Sequence, residues 1–422
     1  MTKTPGDFDV VVIGAGAAGL AAGRRLATEA LSFIIIEARE RIGGRGLTRT
    51  LNGFPLDLGC GWLHSADRNP WVAIAESLGL SIDRSAPAWT RQSLDRGFRR
   101  QDQAAFAAAS QAFHARLEGA DVSAGDFPAA RLLDPEGDWN ALINAESAFM
   151  NGAELDRVST QDWKRYADSG VNWRVAEGFG AAIKAYGAGL PVRTGCAVTL
   201  IDHEGANIRI ETAQGRLSAN AVILTIPTNL IAAQAIVFKP ALPEKLRAAD
   251  MLPLGLADKL VMTIDEPGLA IDEPRLPKGG HLFGDPKTTA TGSYHLRPFG
   301  RPLIEGFFGG ELARDLERSG PGGFFDFARG ELRHLFGGAF AARLAPLSET
   351  AWGRDPFSRG SYSYARPGHS EARSSLAAPV DGRLFFAGEA CSRHGFSTAH
   401  GAYASGVAAA EGVVAERRKS RA

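Results

Sequence analysis

Cysteine is scarce in this sequence: Cys60, Cys196 and Cys391 lie far apart, with no Cys-x-x-Cys pair. That excludes a disulfide framework or a zinc ribbon and suits a reducing compartment. An excess of charge of one sign is missing too, since 47 Lys and Arg balance 47 Asp and Glu. Without a global field, neither a nucleic-acid partner nor a membrane is expected, and any charge preference must sit in a local pocket. No run of about 20 apolar residues occurs, so no bilayer span is expected. The opening MTKTPGDFDVVVIG lacks the apolar region and cleavage site of a signal peptide, which makes the expected location cytoplasmic. The basic end, with Arg417, Arg418, Lys419 and Arg421, reads as a solvated helix end favoured by the helix dipole. The 9 histidines show no ligand spacing, so no metal is implied. What the chain does have is 422 residues, 45% of them apolar, enough for two or three domains at roughly 150 residues each.

Residues 8 to 13 (FDVVVI) form a β-rich run that ends in Gly14-Ala-Gly16-Ala17-Ala18-Gly19, followed by a helical stretch and a second β run over 33 to 36. This is a strand, tight turn, helix, strand unit. From about 70 to 190 the pattern is mostly helical and Ala-rich, like a cap. Residues 191 to 226 return to short alternating segments, a meander leading into a buried strand that ends at Pro227. The rest mixes strand-like runs (KLVMTID, LIEGFFGG) with helices and closes with GRLFFAGEA, a loop and a final helix. The expected class is α/β, a Rossmann-like nucleotide-binding domain interleaved with an α+β domain made of a mixed sheet and a helical cap. Its segments are 1–80, 191–255 and 378–422 for the nucleotide-binding domain, 81–190 for the cap and 256–377 for the second sheet.

The glycines have distinct tasks. Gly14 permits the tight turn, Gly16 lets backbone approach a pyrophosphate, and Gly19 lets the helix pack on its strand, leaving the first helical amides for phosphate charge. Glu37, 23 residues beyond Gly14, is placed to accept hydrogen bonds from an adenosine ribose. Immediately after it, ARERIGGRG sets Gly43 and Gly44 between Arg41 and Arg45. A second amide-rich turn with two guanidiniums suits a long buried pyrophosphate and favours FAD over NAD.

These motifs and four further blocks resemble the FAD-dependent amine oxidases, a family that includes monoamine, polyamine and L-amino-acid oxidases and the flavin histone demethylases. The blocks are DLGCGWLHSADRNPW, LGLADKLVM, WGRDPFSRGSYSY and LFFAGEACSRHGFSTAHGAYASG, in the family's order. The cap from about 85 to 175 matches loosely and is expected to select the substrate. The resemblance implies that Glu37 binds the ribose, that Gly14, Gly16, Gly19, Arg41, Gly44 and Arg45 surround the phosphates, and that Glu389 meets the ribityl-phosphate region. Val198 would contact the adenine through its backbone, with Trp62, Trp352 and Ala399 beside the isoalloxazine. It extends the cofactor contacts to Ala17, Ala18, Ala38, Arg39, Gly43, Gly59, Cys60, Gly61, Pro227, Gly388 and Thr398. Lys259 matches the lysine that holds a water near flavin N5 and assists reoxidation, and burial is expected to lower its pKa.

Two departures shape the expected chemistry. Tyr362 aligns with one wall of the aromatic pair that steers an amine toward the flavin, but the other wall is Thr398, which leaves a roomier site. Ser361 stands where monoamine oxidases carry the cysteine that bonds the cofactor, so FAD is expected to be non-covalent, with Cys391 a buried structural thiol. The implied reaction oxidises an amine to an imine by hydride transfer to flavin, with Lys259, Tyr362 and Thr398 around the reacting atoms and O2 reduced to hydrogen peroxide. The alternatives are a flavin dehydrogenase or desaturase with another acceptor, and a flavin-binding scaffold without turnover. His64, His394 and His400 read either as substrate or proton-relay groups or as braces for cofactor loops. The cap acids Asp102, Asp121, Asp126, Asp134, Glu136 and Asp138 cannot be placed on a pocket by pattern alone. Whether the chain is a monomer or a homodimer stays open.

Overall fold

A computed structural model describes residues 6–87, 89, 92–265 and 276–419. An eight-stranded sheet is centred on the strands Asp7–Ile13 and Gly215–Leu224, which pair in parallel. Parallel neighbours Phe33–Ile36 and Val192–Arg193 extend it on one side, and Leu384–Phe386 joins the last residues of Gly215–Leu224. The first half of Gly215–Leu224 instead pairs antiparallel with Ile208–Thr212, so one strand serves both the parallel sheet and the meander. Val10 to Val12 and Ile34 to Ile36 are buried, as continuous apolar runs covered on both faces should be. The helix Ala17–Leu26 follows the first strand, and the final helix Ala399–Lys419 packs along it through Ala18, Ala402, Ala409 and Ala410. Among the described residues no helix is long and apolar enough to cross a membrane.

The second sheet is a five-stranded antiparallel one, in the order Gly280–Phe283, Ser293–Leu296, Leu303–Gly309, Ala257–Ile264, Leu344–Glu349. One face, with Leu260, Met262, Ile304, Phe308 and Tyr294, is buried under the helices Gly310–Ser319 and Gly323–Phe336. The period of two puts Lys259, Phe307 and Ser293 on the other face in one cross-strand row. Val261, Glu305, His295 and His281 form the next row. That face meets the first domain, where Val261 and Leu303 pack on Leu56 and Leu58. Above it sit the cap helices Arg100–Gly119, Asn140–Asn151 and Thr160–Lys164.

Two segment boundaries differ from the expectation. Residues expected to close the cap return to the first domain early: Arg174–Val175 pairs with Ile82–Asp83, and Phe179, Ala182 and Ile183 of the helix Phe179–Tyr186 pack with Trp71 and Leu20. The cap therefore gives way at about residue 171, not 191. At the other end, Ala365, Ala372 and Leu376 are buried with the eight-stranded sheet, so that stretch leaves the substrate sheet before 378. In both places the partner of an apolar helix face decides the domain, and the helical pattern itself is the same on either side.

Candidate active site

An elongated cavity of about 750 Å³ runs from the glycine turn through the interface of the two sheets to the cap. At its start, Gly14 takes φ +103°, a conformation open to glycine. A Cβ on Gly19 would stand 1.8 Å from the Gly14 carbonyl oxygen, and one on Gly44 would stand 3.1 Å from the Gly16 Cα. These two glycine turns touch, and the Gly43 amide donates to Ala15. Gly16 caps the helix Ala17–Leu26 without a side-chain bond, which leaves first-turn amides aimed at the cavity for a phosphate. Glu37, buried, accepts from the amides of Ala15 (2.7 Å) and Arg39 (2.9 Å), so its carboxylate is fixed with lone pairs to spare for ribose hydroxyls. Ala17, Ala18, Ala38, Arg39, Gly43, Val198 and Pro227 line this end. Arg41 does not: it donates to the carbonyls of Gly44 (2.9 Å) and Ile42, so it braces the turn instead of facing a phosphate.

Midway, Arg45 and Glu389 form an ion pair of 2.9 Å. Glu389 also accepts from the Ser363 hydroxyl (2.6 Å) and the Ser397 amide (2.9 Å). Burial raises the cost of its charge, but Arg45, Ser363 and Arg373 outweigh that and hold its pKa below the ordinary carboxylate value. Gly388 lines the cavity beside it. The cradle, the fixed acid and the length of the cavity all fit an FAD.

At the far end Gly59, Cys60, Gly61 and Trp62 form one wall and Lys259, Trp352, Tyr362, Thr398 and Ala399 the others. Lys259 Nζ donates to the carbonyls of Asp57 (2.9 Å) and Gly59 (2.7 Å). Burial lowers its pKa, with Glu305 and Asp57 working against that and Arg174 adding to it. In its neutral form both hydrogens are spent on the two carbonyls and the lone pair is left for the cavity. Trp352 is equally fixed, its indole N–H donating to Leu58 (3.0 Å) and its amide to Asp258 (3.0 Å). The Tyr362 hydroxyl donates to the Phe149 carbonyl, which pins the ring between strand and cap.

Thr398 is placed against the expectation of a catalytic role. Its hydroxyl donates to Gly395 (2.6 Å) and accepts from the Gly401 amide (3.0 Å), the bonding of an N-cap to the final helix. The group lines the cavity but is committed to the helix. His400 and His394 do not line the cavity; His394 Nδ1 donates to the Arg165 carbonyl, and burial, helped by His64, pushes His400 down to about 4. His64 does line it, with Nδ1 donating to Asn172 Oδ1 at 2.6 Å. Cys60 and Cys391 are pushed up to about 12, chiefly by burial, so neither is a thiolate near neutrality. Ser361 is tied by its hydroxyl to Ala257.

Several cavity residues went unread in the sequence. Glu305 pairs with Arg174 through both oxygens at 3.2 Å, and His295 Nδ1 lies 3.4 Å from its Oε2. Burial alone would push Glu305 up, but Arg174, His295 and Lys259 overcome it and hold the carboxyl well below the usual range. From the cap come Glu146, Phe149, His114 and Trp163. Glu146 accepts from Ser110 at 3.1 Å and is pushed up by burial to about 7. The six cap acids singled out by pattern do not line the cavity; Asp102 pairs with Arg99, and Asp126 caps the turn at Ser159 and Gln161. The alternating pattern of LIEGFFG could have put Glu305 and Phe307 on one face, and no other signal was available.

A dinucleotide cradle opening onto a sheet face with a buried lysine defines a flavin-dependent oxidoreductase of the two-domain kind. The chain belongs to the flavin containing amine oxidoreductase family, whose model matches residues 17–414. It is 29% identical to polyamine oxidase 2 of Arabidopsis thaliana over 97% of this chain and 88% of that protein. It is also 28% identical to lysine-specific histone demethylase 1 homolog 2 of the same plant, over 94% and 57%. Its fold matches that of putrescine oxidase bound to putrescine with a TM-score of 0.73 and 19% identity, over 97% of this chain and 99% of that one. The protein is therefore an FAD-dependent oxidoreductase acting on amines.

Proposed function

We propose that the chain oxidises an amine carrying a second positive charge to an imine, which hydrolyses to an aldehyde or ketone, with O2 as acceptor and hydrogen peroxide as product. The observation that carries the reading is Lys259, held by two carbonyls at the far end of the FAD cavity, which Trp352 and Tyr362 also line. Bound FAD supplies the two-electron acceptor and the route to oxygen. The chain supplies position: Tyr362 offers one rigid aromatic wall, and Thr398 in place of a second ring leaves width that a simple arylalkylamine would not fill. Glu305 and Glu146 put carboxylates on the cavity, and Glu146, a carboxyl met by a single hydroxyl, gains a charge partner from a distal ammonium. Relatives named polyamine oxidases agree with this charge pattern. Non-covalent FAD rests on the two neutral thiols and on Ser361. A cytoplasmic location is part of the same proposal and rests on three unpaired cysteines.

The test is the visible spectrum of the anaerobic holoenzyme on addition of a monoamine, a diamine, a polyamine and L-amino acids in turn. Bleaching by the diamine or polyamine first, and recovery of colour with peroxide on admitting air, is expected. Colour that returns only with a quinone would replace oxygen as the acceptor, and no bleaching by any amine would sink the reading. In Lys259→Met, reoxidation by O2 is expected to slow by roughly 10-fold or more, with FAD retained, as for loss of a positioned proton-handling group. Unchanged oxygen reactivity removes Lys259 from that role.

A further inference from the structure

We propose that Asp258 and Glu317 hold one proton between them and use it to lock the turn that presents Trp352 to the FAD cavity, so that this wall loosens as pH rises. Both are positioning residues, since Trp352 lines the cavity and neither carboxyl does. Asp258 lies one residue before Lys259 on the strand Ala257–Ile264, so the period of two turns it to the helix-covered face, where it is 0% exposed. Glu317 comes from the helix Gly310–Ser319 over that face and is 7% exposed. Two consecutive amides bring the carboxyls together: Trp352 N–H donates to Asp258 Oδ1 at 3.0 Å, and Gly353 N–H donates to Glu317 Oε1 at 2.8 Å. The Thr350 hydroxyl accepts from the Lys259 amide (2.8 Å) and donates to the same Asp258 Oδ1 (2.6 Å). The turn from Thr350 to Gly353 thus hangs on two buried carboxyls.

Asp258 Oδ1 takes two donors, and among the described residues Oδ2 takes none although it is fully buried. Ionised, that oxygen would be a buried charge without a hydrogen bond, beside a second carboxylate, and both features are costly. A proton removes both costs: Oδ2–H donates to Glu317, and the pair carries a single charge. Burial is the largest influence on Asp258 and raises its pKa. Thr350 and the Trp352 amide pull the other way, Glu317 adds to the rise, and the carboxyl is pushed up to about 7. The other charged and titratable groups around the pair are engaged elsewhere. Arg354 donates to the Glu317 backbone carbonyl, and Glu349 on the neighbouring strand accepts from the amides of Gly322 and Phe325 at 2.9 Å each. The Tyr362 phenol, within electrostatic reach of Asp258, is kept protonated by burial, and Lys259 points away into the cavity. Opening the turn returns Asp258 to the ordinary carboxyl pKa near 3.9. A carboxyl whose closed-state pKa is raised stabilises the closed state in full below the open value, and that stabilisation is lost as pH rises through the closed one. The window therefore runs from about pH 4 up to about pH 7.

The experiment follows hydrogen exchange at the Trp352 and Gly353 amides of the holoenzyme between pH 5 and 8, corrected for the intrinsic pH dependence of exchange. In wild type, protection is expected to fall by roughly 10-fold or more from pH 5 to 7 and to level off above, because opening releases the proton. In Asp258→Asn it should match wild type at pH 5 within about threefold and stay flat, because the side-chain amide donates to Glu317 and has no proton to lose. A flat wild type, or the same fall in Asp258→Asn, overturns the proposal. A flat Asp258→Asn that is poorly protected even at pH 5 also overturns it, since the carboxyl itself and not its proton then holds the turn. If Asp258→Asn does not fold, Glu317→Gln carries the test: its amide donates to the ionised Asp258, and the fall should again vanish. A fall that persists in Glu317→Gln overturns the proposal.

Discussion

Glu389 shows how one side chain ties the FAD site to the stability of the fold. It is buried, paired with Arg45 and bonded to Ser363 and Ser397, so its depressed pKa reports interactions present only in the folded chain. A carboxyl whose folded pKa lies below its unfolded value contributes stability that is full above the unfolded pKa and is lost as pH falls through the folded one. The window is therefore acidic, from about the ordinary glutamate value of 4.3 downward. Glu389→Gln should cost stability at pH 7, at the low end of roughly 3–5 kcal/mol because Arg45 retains some solvent. It should also flatten the difference between pH 7 and the acid window, checked by denaturant unfolding of both proteins across that range. Parallel acid limbs in the two proteins would dissociate Glu389 from that dependence. Glu389 and Lys259 were legible because each sits in a sequence block that carries its surroundings along. Glu305 and His295 were not, because they meet Lys259 only through the register of three antiparallel strands, and no local pattern specifies which strand lies opposite. Thr398 was found but misread: its hydroxyl is claimed by the helix that begins one residue later.

At the scale of elements, the helix that presents amides to the phosphates is held from behind by the final helix. Contact runs through small residues, and Gly406 makes the closest approach, where a Cβ would stand 2.0 Å from the Ala18 carbonyl oxygen. Backbone cannot yield as a side-chain tip can, so any substituent there pushes the two helices apart. Gly406→Val is expected to cost roughly 1–3 kcal/mol and to release FAD on desalting, because the displaced helix is the one that meets the phosphates. Gly330→Ala is the control: the residue is exposed within the helix Gly323–Phe336 with nothing near its Cβ, and it should gain up to about 1 kcal/mol from helix propensity alone. Thermal unfolding and FAD content of the two variants check both signs, and equal behaviour would refute the packing argument. The first strand and the glycine turn were read from sequence with their bounds nearly as found, since hydrophobic run and turn chemistry agree there, while the helix begins inside the glycine motif, at Ala17, and ends at Leu26, earlier than its Ala-rich pattern suggests. The helix Phe179–Tyr186 was assigned to the wrong unit because FGAAIKAY reads like the cap helices before it, and its partner Trp71 lies about 110 residues away in the chain.

Across the whole molecule, the cap and the FAD site are joined by an unbroken line of buried polar contacts. Asp162 on the short cap helix holds Arg373 with two bonds of 2.7 Å, and their side chains are 2% and 0% exposed. Arg373 donates to the Ser363 hydroxyl at 2.9 Å, Ser363 donates to Glu389, and Glu389 meets Arg45. Its guanidinium also covers the Phe396 ring at 3.8 Å. A group at any point of this line is oriented by both neighbours, so the placement of the cap and that of the phosphate-side acid are coupled. Ligand binding adds RT ln(1 + [L]/Kd) to stability, about 4.1 kcal/mol at a thousandfold excess over Kd, and a coupled cap shares in that gain. Asp162→Ala leaves Arg373 buried without its partner and is expected to cost roughly 3–5 kcal/mol. If the line transmits, the same substitution also weakens FAD, seen as a smaller rise in Tm on adding FAD to the stripped protein and as earlier proteolysis of the cap. The double variant Asp162→Leu with Arg373→Met removes both charges, and on this argument it recovers stability without recovering FAD affinity, since Ser363 still lacks its donor. An Asp162→Ala protein that is destabilised yet binds FAD as wild type does would show that the cap is merely anchored there, with no bearing on the cofactor.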